Sequence, residues 1–125
     1  MKELIAVAIG GAVGSGLRFA VAGFWLKGLA VRGIPLGTLA VNVIGSLVIG
    51  YLFAVFASRG APSTPTYLFL TVGILGGFTT FSAFSLETLL LFRSLGPTAA
   101  LLNITTQLIL GLSFVWLGFK LGEIS

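Results

Sequence analysis

Four apolar runs, each long enough to cross a bilayer, constrain this chain more than any motif in it. They cover about residues 3–26, 36–57, 66–92 and 97–121. At about 1.5 Å of rise per residue, a helix over any of them spans roughly 30 Å of hydrocarbon. The connections between them are short, and Pro35, Pro62, Pro65 and Pro97 stand at the edges of the runs, where a missing backbone N–H does least harm. The chain therefore reads as an all-α membrane protein, with residues 1–125 forming a single domain of four transmembrane helices. Lys2 ahead of an apolar run imitates a signal peptide, but the run is too long for an h-region and contains Arg18, so a retained helix is expected. The Asn103-Ile104-Thr105 sequon lies inside the fourth run and is not expected to be glycosylated.

Composition excludes most chemistry. Of the residues, 57% are hydrophobic and 8% charged, and Cys, His and Asp are absent. Disulfides, thiol chemistry, the usual zinc and haem ligands and His-dependent triads go with them. Glu3, Glu87 and Glu123 are the only acids, so an enzyme is not expected. The basic residues are scattered singly, which argues against nucleic acid despite a formal net charge of +4.

Four spans place Lys2, Arg59 and Lys120 on one side of the membrane and Lys27, Arg32 and Arg93 on the other. Three against three gives the positive-inside rule no preference. A single weakly biased topology and insertion in both directions remain equally open on charge alone. Gly10 and Gly14 in the first span, Gly45, Ser46 and Gly50 in the second, and Gly111 and Gly118 in the fourth invite close helix packing.

Polar residues inside the spans fall into stripes. Thr38, Asn42 and Ser46 recur every four residues on one face of the second helix, and Asn103, Thr106 and Gln107 share a face of the fourth. Each stripe fits interhelical hydrogen bonding, and two on different helices also fit a narrow wet path. The third run is interrupted by Gly76-Gly77-Phe78-Thr79-Thr80-Phe81-Ser82-Ala83-Phe84. Non-helical backbone at membrane depth is tolerated where it lines a cavity or an ion site, so a break near residues 76–80 is expected. Beyond it Phe78, Phe81 and Phe84 fall at three-residue steps. Ring edges carry partial positive charge and suit a small anion, whereas unwound carbonyls near Gly76 and Thr79 suit a cation. Arg18, inside the first span, is read either as snorkelling to an interface or as a vestibule charge that gathers anions. Glu87 is its only acidic candidate partner within the spans.

Three segments in order resemble the small bacterial fluoride channels of the Fluc/CrcB family. They are Gly10-Gly11-Ala12-Val13-Gly14-Ser15-Gly16-Leu17-Arg18-Phe19, Gly37-Thr38-Leu39-Ala40-Val41-Asn42-Val43-Ile44-Gly45 and the Gly76–Ser85 segment. The resemblance implies an antiparallel, dual-topology homodimer in the bacterial plasma (inner) membrane, crossing it several times. It implies passive fluoride export through two pores per dimer, protecting the cell from fluoride toxicity. Phe81 and Phe84 match the pore phenylalanines, Asn42 the pore asparagine and Thr38 a neighbouring pore hydroxyl. Ser82 follows Phe81 on the pore side, and Arg18 matches a vestibule arginine. The backbone carbonyls of Gly76 and Thr79 match positions that hold a structural sodium ion (Na+) at the dimer interface. The implied partners are thus fluoride, a second copy of the chain and membrane lipid. Asn103 and Gln107 stand where the family commonly has Tyr and Ser, and both can still donate hydrogen bonds along a fourth-helix track. The alternative is a small proton-coupled exporter working through Glu87.

Overall fold

A computed structural model describes residues 1–61 and 63–125. Pro62, expected at a span edge, lies outside the described residues. Four helical spans, Lys2–Trp25, Leu36–Ser58, Pro65–Leu95 and Pro97–Ile124, are long and apolar enough to cross a membrane. We label the first α1 and the second α2. The third is divided into α3 (residues 65–78) and α4 (Phe81–Leu95), and the fourth is α5. The protein is a multi-pass membrane protein. Its bare side chains agree with this: Phe19, Phe24 and Trp25 are about 70% exposed, an apolar girdle that suits lipid and not water.

The helices pack mainly as two pairs, α1 against α3 and α2 against α5, with α4 leaning on α5. Glycine makes both pairings. A Cβ at Gly14 would lie 2.0 Å from the Ile74 carbonyl oxygen, and one at Gly77 would lie 2.5 Å from that of Gly11. Between α2 and α5 the contacts are reciprocal: Gly50 abuts the Val115 carbonyl, and Gly118 abuts that of Leu47. Without a hydrophobic drive between helices in lipid, such backbone approach supplies the van der Waals contact that holds a bundle together.

Two local features go beyond what the residues suggest. The connection from α1 to α2 contains a minimal hairpin, β1 (Ala30–Val31) paired antiparallel with β2 (Ile34–Pro35). Arg32 and Gly33 form its turn with φ of 52° and 85°, the left-handed pair that a two-residue hairpin demands. Over Phe19–Trp25 and Phe69–Leu75 the helices widen to π-type turns, a geometry that often accompanies functional sites.

The break in the third span is narrower than expected. Gly76, Gly77 and Phe78 are still helical, and only Thr79 (φ −80°, ψ 160°) and Thr80 (φ −151°, ψ 117°) are extended. The glycines therefore serve packing against α1 at least as much as unwinding. Helix resumes at Phe81, where Thr80 caps it by accepting the Ala83 N–H through its hydroxyl at 3.2 Å.

Candidate functional site

Asn42 accounts for the break. Its side-chain oxygen accepts the Thr80 N–H at 2.9 Å, and its amide nitrogen donates to the Thr80 carbonyl at 3.2 Å. The side chain thus pairs with Thr80 as a neighbouring strand would. In a continuous helix the Thr80 N–H would go to the Gly76 carbonyl. Diverted to Asn42, it leaves that carbonyl without its usual donor. The remaining amide hydrogen of Asn42 serves Gln107 Oε1 at 3.2 Å, so its oxygen and both its hydrogens are engaged.

Arg18 takes the other extended residue. Its Nη1 donates to the Thr79 carbonyl at 3.2 Å, which puts the guanidinium at the break and not at the end of its span. The anticipated pairing of Arg18 with Glu87 does not form. Glu87 Oε1 instead accepts from Thr38 Oγ1 at 2.6 Å, and Lys120–Glu123 is the one salt bridge among the described residues. Each side chain has found a neutral hydrogen-bonding partner on another span, Arg18 in the extended pair and Glu87 on α2.

The two polar stripes meet as a network across α2, α4 and α5. Thr38 and Asn42 lie on α2, and Asn42 reaches Gln107 on α5. One turn away, Asn103 Nδ2 donates to Thr88 Oγ1 at 2.8 Å, next to Glu87 on α4. Asn103 is fully buried and Gln107 nearly so. Three buried atoms in the network have no partner among the described residues: Glu87 Oε2, Asn103 Oδ1 and Gln107 Nε2. Buried polar atoms are ordinarily satisfied, and a cluster of unsatisfied ones is what a site for a small polar guest looks like. Thr106 is only half-buried, and Thr105 bonds back to the Leu101 carbonyl of its own helix.

The aromatic stripe is a pair. Phe78 is buried in α3, and the two extended residues separate it from Phe81 and Phe84, whose ring centroids are 5.6 Å apart at 56°. Phe81 is 79% exposed, although it stands at mid-span beside the break. Ser82 is exposed, with Oγ 3.3 Å from Thr80 Oγ1. An open cavity of about 330 Å³ runs along this face, lined among others by Asn42, Ser46, Gly76, Thr79, Thr80 and Phe81. A second, of about 440 Å³, opens beside the hairpin and includes Lys27, Thr38 and Glu87 in its lining.

Thr80 and Thr88 were not singled out from the residues alone, yet both are structural keystones of the site. Thr80 carried a readable signal, a hydroxyl just ahead of a helix start. Thr88 carried none, since its role depends on how α4 faces α5.

Comparison with known proteins agrees with this architecture. Residues 5–119 match the family described as CrcB-like protein, camphor resistance (CrcB). A relative from Methylobacillus flagellatus, named fluoride-specific ion channel FluC, is 43% identical over 121 residues, covering 97% of this chain and 94% of its own. Proteins of the same name from Parabacteroides distasonis and from Thermus thermophilus are 43% and 44% identical, each covering 98% of this chain and 94% of its own. With four apolar spans, a third one broken beside paired phenylalanines, and matches of this extent, the chain belongs to the CrcB family.

Proposed function

We propose that this protein is a fluoride-selective channel that lets fluoride leave the cell passively, as two antiparallel copies with a pore on either side of their interface. The observation that carries the reading is the bare Phe81 ring at mid-span, beside a break held open by Asn42. A half-broken helix with an exposed Phe81 ring beside a half-buried Phe84 suits a surface that a second copy completes. Phe81 and Phe84 present ring edges to the ion, with Thr38, Ser82, Asn103 and Gln107 supplying hydroxyl and amide donors along the path. The unpartnered Nε2 of Gln107 is a donor in waiting. Asn42 acts mainly by fixing the backbone from which Phe81 projects, and Arg18 adds positive potential near the path. Neutral donors replace part of the hydration shell of a small anion without the fixed charge that would trap it.

The proposed sodium ion fits the backbone. Hard cations take oxygen ligands. The Gly76 carbonyl has lost its helical donor, and the Thr79 carbonyl retains one lone pair beside its bond to Arg18. A Cβ at Gly76 would meet nothing closer than the Thr71 carbonyl oxygen at 3.9 Å, so that position is open to a neighbouring copy. When bound, the ion would tie two breaks together. Preparing the protein free of sodium is expected to shift dimer toward monomer on size-exclusion chromatography, and restoring sodium should reverse the shift. An unchanged dimer would remove the cation from the interface.

Liposomes loaded with potassium fluoride or potassium chloride, with valinomycin and no proton gradient, test the function directly. Rapid fluoride release without chloride release is expected. Phe81→Ile should slow it about fivefold while the dimer persists, since an aromatic-edge contribution of about 1 kcal/mol is a factor of about five. Fluoride release at the wild-type rate from the folded variant would rule out the ring edge. Release only under a pH gradient would favour a proton-coupled exporter.

A further inference from the structure

Glu87 is the one acid away from the outer ends of the first and last spans, and the hydroxyl it occupies belongs to the proposed ion path. Its Oε1 takes the hydrogen of Thr38 Oγ1 at 2.6 Å, a length typical of a charge-assisted bond. Thr38 is 5% exposed and lies one turn before Asn42 on the same face of α2. A hydroxyl has a single hydrogen to donate, so Thr38 can serve the carboxylate or a passing anion, but not both. Glu87 also has somewhere to go. Its Oε2 is without a partner, and the side chain lines the 440 Å³ cavity that Lys27 also lines. Among the described residues, Lys27 is the only other charged one lining that cavity.

We propose that Glu87 is a tethered competitor of fluoride. With the path empty, its carboxylate holds the Thr38 hydroxyl. When fluoride arrives from the cavity, the carboxylate yields that hydrogen and turns into the cavity toward Lys27. No covalent bond changes; one hydrogen bond is exchanged between two anions. The contact guards the path against anions that compete poorly for an O–H donor, which makes Glu87 a specificity-determining residue. The inference rests on the channel reading above and on Thr38 as a path hydroxyl.

Single-channel or macroscopic fluoride currents in planar bilayers, recorded over a range of fluoride concentrations, test it. Glu87→Gln keeps the length and an acceptor for Thr38 but removes the competing charge. Half-saturating fluoride is expected to fall about tenfold, which corresponds to roughly 1.4 kcal/mol and to the modest end of a charged hydrogen bond. The limiting current should stay at or above that of the wild type. A half-saturating concentration that ignores the substitution, or a limiting current that falls with it, overturns the competitor. Should the Gln variant not fold, the absence of native cysteine provides a second route. Glu87→Cys can be alkylated with iodoacetate, restoring a carboxylate, or with iodoacetamide, giving the neutral amide of nearly the same shape. A higher half-saturating concentration for the carboxylate form alone supports the proposal, and equal values overturn it. Absence of fluoride current from the wild type and every variant would sink the channel reading itself.

Discussion

Asn42→Leu is expected to reduce fluoride flux at least about a hundredfold, the largest functional effect of any single change in this protein. The substitution preserves size and removes three hydrogen bonds at once, two of them to the backbone of Thr80. A buried N–H or C=O left without a partner costs about 1–3 kcal/mol, and more in hydrocarbon. The backbone has a ready escape, because the Thr80 N–H can return to the Gly76 carbonyl and rewind the helix. Rewinding would swing Phe81 away from its present direction and close the carbonyl that suits the cation. Asn42→Asp separates these contributions: it retains an acceptor for the Thr80 N–H, loses the donor to the Thr80 carbonyl and adds negative charge beside an anion path. Its flux should fall as well, with the dimer better preserved than in the Leu variant. Liposome efflux and size-exclusion profiles of the two variants decide the matter; wild-type flux from Asn42→Leu would show that the break does not depend on this clamp.

The second large effect is on folding. Gly118→Val is expected to give no folded protein, and Gly118→Ala to lower stability by about 2–3 kcal/mol. An added Cβ at Gly118 would lie 1.9 Å from the Leu47 carbonyl oxygen and 3.0 Å from the Tyr51 nitrogen. Both are backbone atoms, so no rotamer change can make room, and α2 and α5 must separate along their whole contact. Gly111→Ala on the same helix is the control. Its Cβ would meet only Ser46 Oγ, at 3.6 Å, an ordinary contact, and alanine is about 1 kcal/mol the better helix former. Thermal unfolding in detergent should rank Gly111→Ala at or above the wild type and Gly118→Ala well below it. Equal losses at the two positions would mean that glycine is needed for something other than close approach.

Much of this architecture is legible in the residues because the bilayer is a demanding solvent. The spans expected over residues 3–26, 36–57, 66–92 and 97–121 agree with the observed helices to within a few residues, since apolar length is nearly all that decides a span. The stripes Thr38/Asn42 and Asn103/Gln107 were likewise visible as i, i+4 repeats. What each stripe touches was not, because that depends on how the helices rotate against one another. The break shows the limit most clearly. Gly76-Gly77 looks like the helix breaker, yet Thr79-Thr80 is what unwinds, drawn out by Asn42 from another helix. Arg18 and Glu87 invited pairing by opposite charge, but a carbonyl and a hydroxyl lay closer. The Arg32-Gly33 hairpin is too short for any periodicity to announce it.

The two extended residues also divide the third span mechanically. A helix carries load along its ladder of backbone hydrogen bonds, and past the Thr79 N–H, which still bonds the Leu75 carbonyl, that ladder gives way to side chains reaching in from α1 and α2. The angle between α3 and α4 is therefore set from outside the span, by Arg18 and Asn42, and not by the span's own stiffness. A tilt of α1 or α2 would therefore act on the Phe81–Phe84 pair through these few bonds. The aromatic pair is thereby mounted on a hinge whose stops belong to its neighbours.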